Sequence, residues 1–395
     1  MGRTDAETDD VFVVDTDDSV TDGEPAAPSA QSTWTDDGST AAAAREGDEA
    51  AFARLVRRHE RELRVHCYRM LASVEDAEDL TQETFLRAWQ RRETFQGRAT
   101  FRAWLYRIAT NACLDFLERR PSRRMVVGRG TEPSRAVAIP WLQPWPDRPG
   151  VQADSAEAGP DAVAESRETI ELAFLAAIQH LPLRQRAVLI LRDVLGTPAA
   201  ETAILLSDSV ASVNSAVQRA RATLRRQLPP RRLAWAATAD ATREERVVLR
   251  RYMAATERGD MTALASLLRE DARCGQQPGA GGHSGTDAVG YQGRDVIISS
   301  WAPAMDGADA VEFRLVETTA NGLPAAAVYI RPPGTTCYHA FGLDVLRIEG
   351  GEIAEVDAFA PDVFPLFGLP AVVCREGRGG GASRRPADAV APPGR

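Results

Sequence analysis

Residues 185–228 read QRAVLILRDVLGTPAAETAILLSDSVASVNSAVQRARATLRRQL. This stretch decides the fold. A short helix over 199–206, a tight Ser-Asp-Ser turn at 207–209 and a second helix from 211 predict a helix-turn-helix. Val213 and Val217 pack inward with Leu205 and Leu206. Ser212, Asn214, Ser215, Gln218, Arg219 and Arg221 form the expected DNA-facing set. A second helix of this kind fits the major groove, its N-terminal residues reaching base edges. Residues 211–232 hold six Arg and no Asp or Glu, which suits phosphate neutralisation. The competing reading is a basic-faced core helix of an all-α protein. Ser, Asn and Gln are permissive readers, so the bases stay open.

Upstream, residues 42–120 are helical throughout. Phe52, Leu55, Val56, His59 and Leu63 recur at helix spacing. The segment VEDAEDLTQETFLRAW, 74–89, puts four carboxylates in its first six residues and ends on Phe85, Leu86 and Trp89. Its acids either solvate a helix or shape a protein-binding face. FRAWLYRIATNACLDFLERR, 101–120, is a further helix, stopped by Pro121. Around it, Phe95, Phe101, Trp104, Tyr106 and Phe116 interleave with Arg98, Arg102, Arg107, Arg119, Arg120, Arg123 and Arg124. Aromatics with arginines suit an unpaired strand. Each aromatic is equally readable as core, so the Arg-rich end, with Arg119 and Arg120, is the firmer DNA contact.

The chain of 395 residues carries a net charge of −9, unevenly spread. Residues 1–40 hold eleven Asp or Glu and one Arg, a net of −10, so the remainder is near +1. The acidic total therefore does not argue against DNA binding. Residues 1–41 read as a disordered acidic tail, and the start lacks a signal-peptide pattern. No run approaches the ~20 apolar residues that span a bilayer, so no membrane role is expected. The five cysteines, Cys67, Cys113, Cys274, Cys337 and Cys374, lack C-x-x-C spacing. They predict reduced thiols in a cytoplasm, with no disulfide or zinc site.

Residues 121–165 are a flexible linker rich in Pro, Gly, Ser and Ala. Helices resume at 166–195, 197–206 and 211–228, and 229–242 is a second linker. From 243 a helix running to Asp271 precedes strand-like pieces, VEFRLVETTA, AAAVYI, FGLDVLRIEG and EIAEVDAF. That makes 243–370 an α+β domain, with a disordered tail at 371–395.

Taken together, DAEDLTQETFLRAW at 76–89, FRAWLYRIATNACLDFLERR at 101–120 and LPLRQRAVLILRDVLG at 181–196 with its helix-turn-helix resemble the sigma-70 family of bacterial RNA polymerase sigma factors, in its extracytoplasmic-function (ECF) group. The resemblance covers 50–228. RYMAATERGDMTALASLLRED, YQGRDVIISSW and DAFAPDVFPLFGLP resemble the SnoaL/NTF2-like cone. The implied fold is multidomain: two all-α sigma modules, region 2 at 42–120 and region 4 at 166–228, the second with the helix-turn-helix, then the α+β cone. By resemblance, Asp76, Glu78, Asp79, Gln82, Glu83 and Leu86 bind the clamp helices of the polymerase largest subunit. Asn111 and Asp115 lie on the helix that reads the −10 strand, and Arg219 and Arg221 on the −35 recognition helix. The implied partners are core RNA polymerase, including its flap region, and promoter DNA. The resemblance also admits an anti-sigma protein, which the sequence does not name. The 121–165 linker is implied to thread the RNA-exit path. Asp208 and Thr197 replace a Gly and an aromatic common among relatives, which leaves promoter preference in doubt.

No catalytic, cofactor or metal set is expected. Asp271, His283, Asp287, His339 and Asp344 are the polar groups a pocket in the cone would use, and Trp301, Tyr329 and Phe341 its candidate walls. His283 sits in a Gly-rich loop, and strict alternation puts His339 and Asp344 on opposite faces of a strand. The alternatives are a stand-alone DNA-binding regulator with a ligand-sensing cone, or an enzyme with a DNA-binding appendage.

Overall fold

The computed structural model describes residues 36–97, 99–120, 139–147, 172–227, 243–306 and 310–374. Most of the acidic tail, much of the 121–165 linker, residues 166–171 of the expected 166–195 helix, all of the 229–242 linker, Arg98, Arg123, Arg124 and the tail after 374 lie outside the described residues.

The first module holds α1 (Asp36–Arg45), α2 (Glu49–Leu71), α3 (Val74–Gln90) and α4 (Phe101–Arg119). Each of the three longer helices starts on a side-chain cap. Asp48 accepts from the Ala51 amide, Ser73 from Asp76 and Thr100 from Ala103. Glu75 and Asp76 add favourable charge to the first turn of α3. Helix α1 begins inside the stretch read as tail (1–41), and its Ala41 and Ala44 are buried in the core. Small side chains let α1 lie close on α2, so the ordered part starts earlier than charge alone implies.

The second module comprises α5 (Leu172–Gln179), α6 (Leu183–Leu189), α7 (Ala199–Leu205) and α8 (Val210–Gln227). The expected single helix over 166–195 is broken. Pro182 cannot continue α5, and α6 runs on into one π-helical turn at Ile190–Val194. Both modules share one core, in which Leu63, Tyr68 and Leu105 join Leu175, Ile178 and Val213.

The third module opens with α9 (Arg243–Arg258) and α10 (Met261–Leu267), separated by Gly259 at φ +63° and capped by Asp260. Seven strands follow: β1 (Leu268–Gln276), β2 (Val289–Gln292), β3 (Glu312–Ala320), β4 (Leu323–Arg331), β5 (Cys337–Glu349), β6 (Glu352–Phe359) and β7 (Val372–Cys374). Helix α11 (Arg294–Met305) lies between β2 and β3. The sheet order is β2-β1-β6-β5-β4-β3, with β7 on β5. Only β1 and β6 among these pairs run parallel. The sequence LRED, expected to end the long helix, starts β1 instead, because the Gly259 break and Asp260 cap leave only two turns before the chain joins β6.

One sheet face carries α9–α11 over Leu249, Tyr252, Leu264, Val328 and Leu346. The other is covered by residues 361–367, by Ile139 and Leu142 from the linker, and by Leu172 and Ala176 of α5. The linker reading of 121–165 is thus corrected at 139–147, which is packed. Cys337 and Cys374 form a disulfide across β5 and β7, which corrects both the all-thiol reading and the tail boundary at 371. Pairing of β7 with β5 brings the two residues opposite each other. Cys67, Cys113 and Cys274 are buried thiols. Among the described residues no helix is long and apolar enough to cross a membrane.

Candidate nucleic-acid interface

Helix α3 divides its residues by face. Ala77, Thr81, Thr84, Phe85 and Ala88 point into the core. Glu75, Glu78, Asp79, Gln82 and Leu86 are exposed, with Asp76 and Glu83 half-buried at the edges. The six residues expected to bind polymerase therefore share one face. Phe85 is core, whereas Leu86 is 51% exposed, a large apolar group with no packing role. Trp89 is half-buried against Phe52, and Arg92 lies 4.6 Å over its ring. Glu83 is held by Arg87 at 2.7 Å. Between α2 and α3 runs a groove of about 270 Å³ lined by Val56, Glu60, Arg64, Glu78, Thr81 and Gln82. An acidic rim beside an apolar edge fits a basic partner helix in one pose.

Helix α4 exposes Arg107, Asn111, Asp115, Arg119 and Arg120 along one side. The aromatics of its first half are structural. Phe95, Phe101 and Trp104 pack on one another at 5.5–5.6 Å. Buried Tyr106 bonds Glu62, which Arg102 also contacts at 2.7 Å. Phe116 is covered by Arg120, 4.6 Å over its ring. The basic end and Asn111 thus remain as surface.

In the helix-turn-helix, Val213 and Val217 are buried with Leu205, while Leu206 is only half-buried. Asn214, Ser215, Gln218, Arg219 and Arg221 are exposed on one face of α8. The turn is built by Asp208. Its carboxylate accepts from the Ser209 amide (2.8 Å), the Ser212 hydroxyl (3.0 Å) and Arg184 (3.0 Å). The two Ser contacts chiefly hold its pKa down. Ser212 is therefore part of the turn before it is a reader. Arg221 is similarly committed, donating Nε and Nη2 to Asp193 at 2.8 and 2.7 Å.

Two features escaped the sequence. The first is Arg186, 2% exposed. It donates to the Ile178 and Gln179 carbonyls, the Gln179 side chain and the Met70 carbonyl. Burial pulls its guanidinium down to about 9. It pins the end of α2 to α5 and α6. The second is the strap at 139–147. The Gln143 side-chain oxygen accepts from the Val74 amide (2.9 Å), the Glu75 amide (3.2 Å) and the Ser73 hydroxyl (3.1 Å), acting as a second cap for α3. Its backbone bonds Ala72 and Tyr68. Trp145 exchanges bonds with Asn321, Asp147 accepts from Gly322, and Pro146 bridges Ala320. The strap thus ties the start of α3 to the β3–β4 turn. Its signal was the apolar run WLQPW in a Pro-rich segment.

The polar groups of the cone disperse. Asp271 pairs with Arg269 at the surface, and His283 contacts the Asp287 carbonyl at 2.6 Å. A bulge in β5 opposite Val328/Tyr329 shifts the side-chain alternation. His339 and Asp344 consequently share a face, against the expectation of opposite faces, but His339 is exposed. Asp344 instead accepts from Tyr252 at 2.8 Å. Tyr329 belongs to the opposite face, edge-on to Phe364, so it does not line a site with Trp301 and Phe341.

Comparison with known proteins extends across these modules. Family models for sigma-70 region 2, sigma-70 region 4 and a SnoaL-like domain match residues 55–123, 171–224 and 249–356. The ECF RNA polymerase sigma factor SigG of Mycobacterium tuberculosis is 40% identical over 334 residues, 82% of this chain and 85% of the relative. SigW of Bacillus subtilis is 31% identical over 194 residues, covering 47% of this chain and 92% of its own. The crystal structure of the M. tuberculosis extracytoplasmic function sigma factor SigJ matches with a TM-score of 0.52 at 23% identity, covering 81% of this chain and 99% of that one. That last likeness is one of fold.

Proposed function

The chain belongs to the ECF sigma factors of the sigma-70 family and directs RNA polymerase to promoters, and from that premise we propose how its surfaces divide the work. The role is non-catalytic, which leaves binding faces as the quantities to assign. The exposed face of α3, from Asp76 to Leu86, docks on the clamp helices of the polymerase largest subunit. The outer side of α4, with Asn111, Asp115, Arg119 and Arg120, takes the melted −10 strand. The face of α8 with Asn214, Ser215, Gln218 and Arg219 enters the −35 major groove, and the second module meets the flap region. An anti-sigma protein would have to cover one of these faces.

The third module tunes this machinery through the strap. The linker cannot thread an RNA-exit path while 139–147 is bonded to α3 and to the β3–β4 turn, so productive assembly releases it. The supporting observation for the docking face is Leu86, an exposed apolar residue bordered by carboxylates on a helix whose other face is fully used.

The test is Asp79→Arg in the full chain. Asp79 is exposed, and no hydrogen bond or ion pair of its side chain occurs among the described residues, so far-UV circular dichroism stays unchanged. Affinity for core polymerase falls at least tenfold, and run-off transcription with it. Wild-type co-purification with core would refute the docking face.

A further inference from the structure

Asp344 lies on β5, in the middle of the sheet. Its register partners, Ala326 on β4 and Ala358 on β6, are closed to solvent, as are Leu343 and Val345 beside it. Its own side chain nevertheless stays partly exposed. A half-buried residue among closed neighbours sits at the bottom of the concave face, beneath the helices that cover it. Trp301 of α11, Phe313 of β3, Phe341 of β5 and Tyr291 of β2 are all half-buried against the same core. Tyr252 and Trp301 meet edge-on at 6.3 Å, and Phe313 and Phe341 at 6.4 Å.

The charge at the floor lacks a counter-charge. Asp344 accepts one hydrogen bond, from Tyr252, and no cationic side chain acts on it among the described residues. Burial pushes its pKa up to about 6, so at neutral pH it is largely ionised. A carboxylate in a poorly solvated recess attracts a cation more strongly than one in water does. Aromatic faces add cation–π attraction and are the usual walls for quaternary ammonium groups. No group of three His, Cys, Asp or Glu suited to a metal occurs among the described residues, and one carboxylate among rings is a poor metal site. A neutral apolar ligand would leave the charge uncompensated.

We propose that the concave face of the third module binds an organic ammonium ion, with Asp344 as counter-charge and Tyr252 and Trp301 as aromatic walls. The inference goes beyond promoter recognition and does not rest on it. It supplies the third module with a ligand class.

The experiment is isothermal titration of the full chain at pH 8 with choline and with benzyltrimethylammonium. The neutral choline isostere 3,3-dimethylbutan-1-ol is the comparison. The cations give saturable binding, and the isostere binds at least tenfold more weakly. Asp344→Asn, which keeps an acceptor for Tyr252, removes that preference while near-UV circular dichroism stays native. Asp271→Asn, a surface control, retains it. Absence of saturable cation binding to the wild type, equal binding of the isostere, or cation preference surviving in Asp344→Asn would each overturn the proposal.

Discussion

Replacing Gln143 by Ala isolates the strap. The substitution deletes the acceptor shared by the Val74 and Glu75 amides and the Ser73 hydroxyl, and the donor to Glu75 at 2.9 Å. It leaves the backbone bonds of residue 143 to Ala72 and Tyr68 in place. A net hydrogen bond contributes about 0.5–1.5 kcal/mol. Glu75 is exposed, and the freed amides of α3 become solvated, so the four contacts do not add fully. A total of about 1–3 kcal/mol is reasonable, which raises the undocked fraction of the strap by roughly 5- to 150-fold. Hydrogen–deuterium exchange resolves this at an amide the substitution does not touch. Asn321 donates its N–H to the Trp145 carbonyl at 2.9 Å, so its exchange reports strap opening and not the deleted bond. Exchange at Asn321 and at the Gln143 position should accelerate together by that factor, while amides within α9 stay unchanged. Acceleration confined to Val74 and Glu75 would refute the picture of a strap that docks and undocks as one piece.

Other expectations follow from the same contacts. Arg219→Ala should lower the salt dependence of −35 duplex binding by about one slope unit. Arg221→Ala should act through the freed Asp193 carboxylate, so Arg221→Ala/Asp193→Ala should recover much of its loss; equal, unrescued losses for both arginines would refute the distinction. Arg186→Met strands carbonyls at Met70, Ile178 and Gln179 and should cost about 3–5 kcal/mol, read as a lower Tm of both helical modules; an unchanged Tm would contradict the latch. Asp344 has a folded pKa of about 6 against about 3.9 when unfolded. The folded state thus binds its proton more tightly, and stability falls as pH rises from about 4 to 6. Tyr252, Cys274, Asp357 and His339 are the other titratable groups on or near that face. Asp344→Asn should therefore be more stable than wild type above pH 6, by up to about 3 kcal/mol, with the two converging below pH 4. Parallel pH profiles in urea melts would refute the assignment.

What could be read in the sequence was local. The period of Val213 and Val217 against Asn214, Gln218 and Arg219 is set by one helix, and the structure keeps it. On α3 the sequence left Phe85, Leu86 and Trp89 together between core and surface, and only packing separates buried Phe85 from exposed Leu86. Long-range partners could not be read. Arg186 reads as one more arginine of a basic segment, because its partners are carbonyl oxygens, which have no sequence signature. Arg221 looks like a phosphate contact until Asp193, 28 positions earlier, is seen to hold it. Composition misled over 139–147, where Pro residues conceal a stretch whose Ile139 and Leu142 complete a core supplied by another module. Strict alternation misplaced His339 relative to Asp344 because a single bulge reverses parity.

The strap also imposes an order on the making of the protein. Trp145 and its partner Asn321 are 176 positions apart. At translation rates of about 5–20 residues per second, the ribosome needs roughly 9–35 s to supply the second after the first. During that interval the second helical module is completed, and the strap has only its Gln143 contacts with the start of α3 and the end of α2, its anchor on the β3–β4 turn being still unmade. A nascent chain therefore passes through a period in which α3 is complete while the third module is still unborn, and under the proposed division of surfaces its docking face is then free of that module.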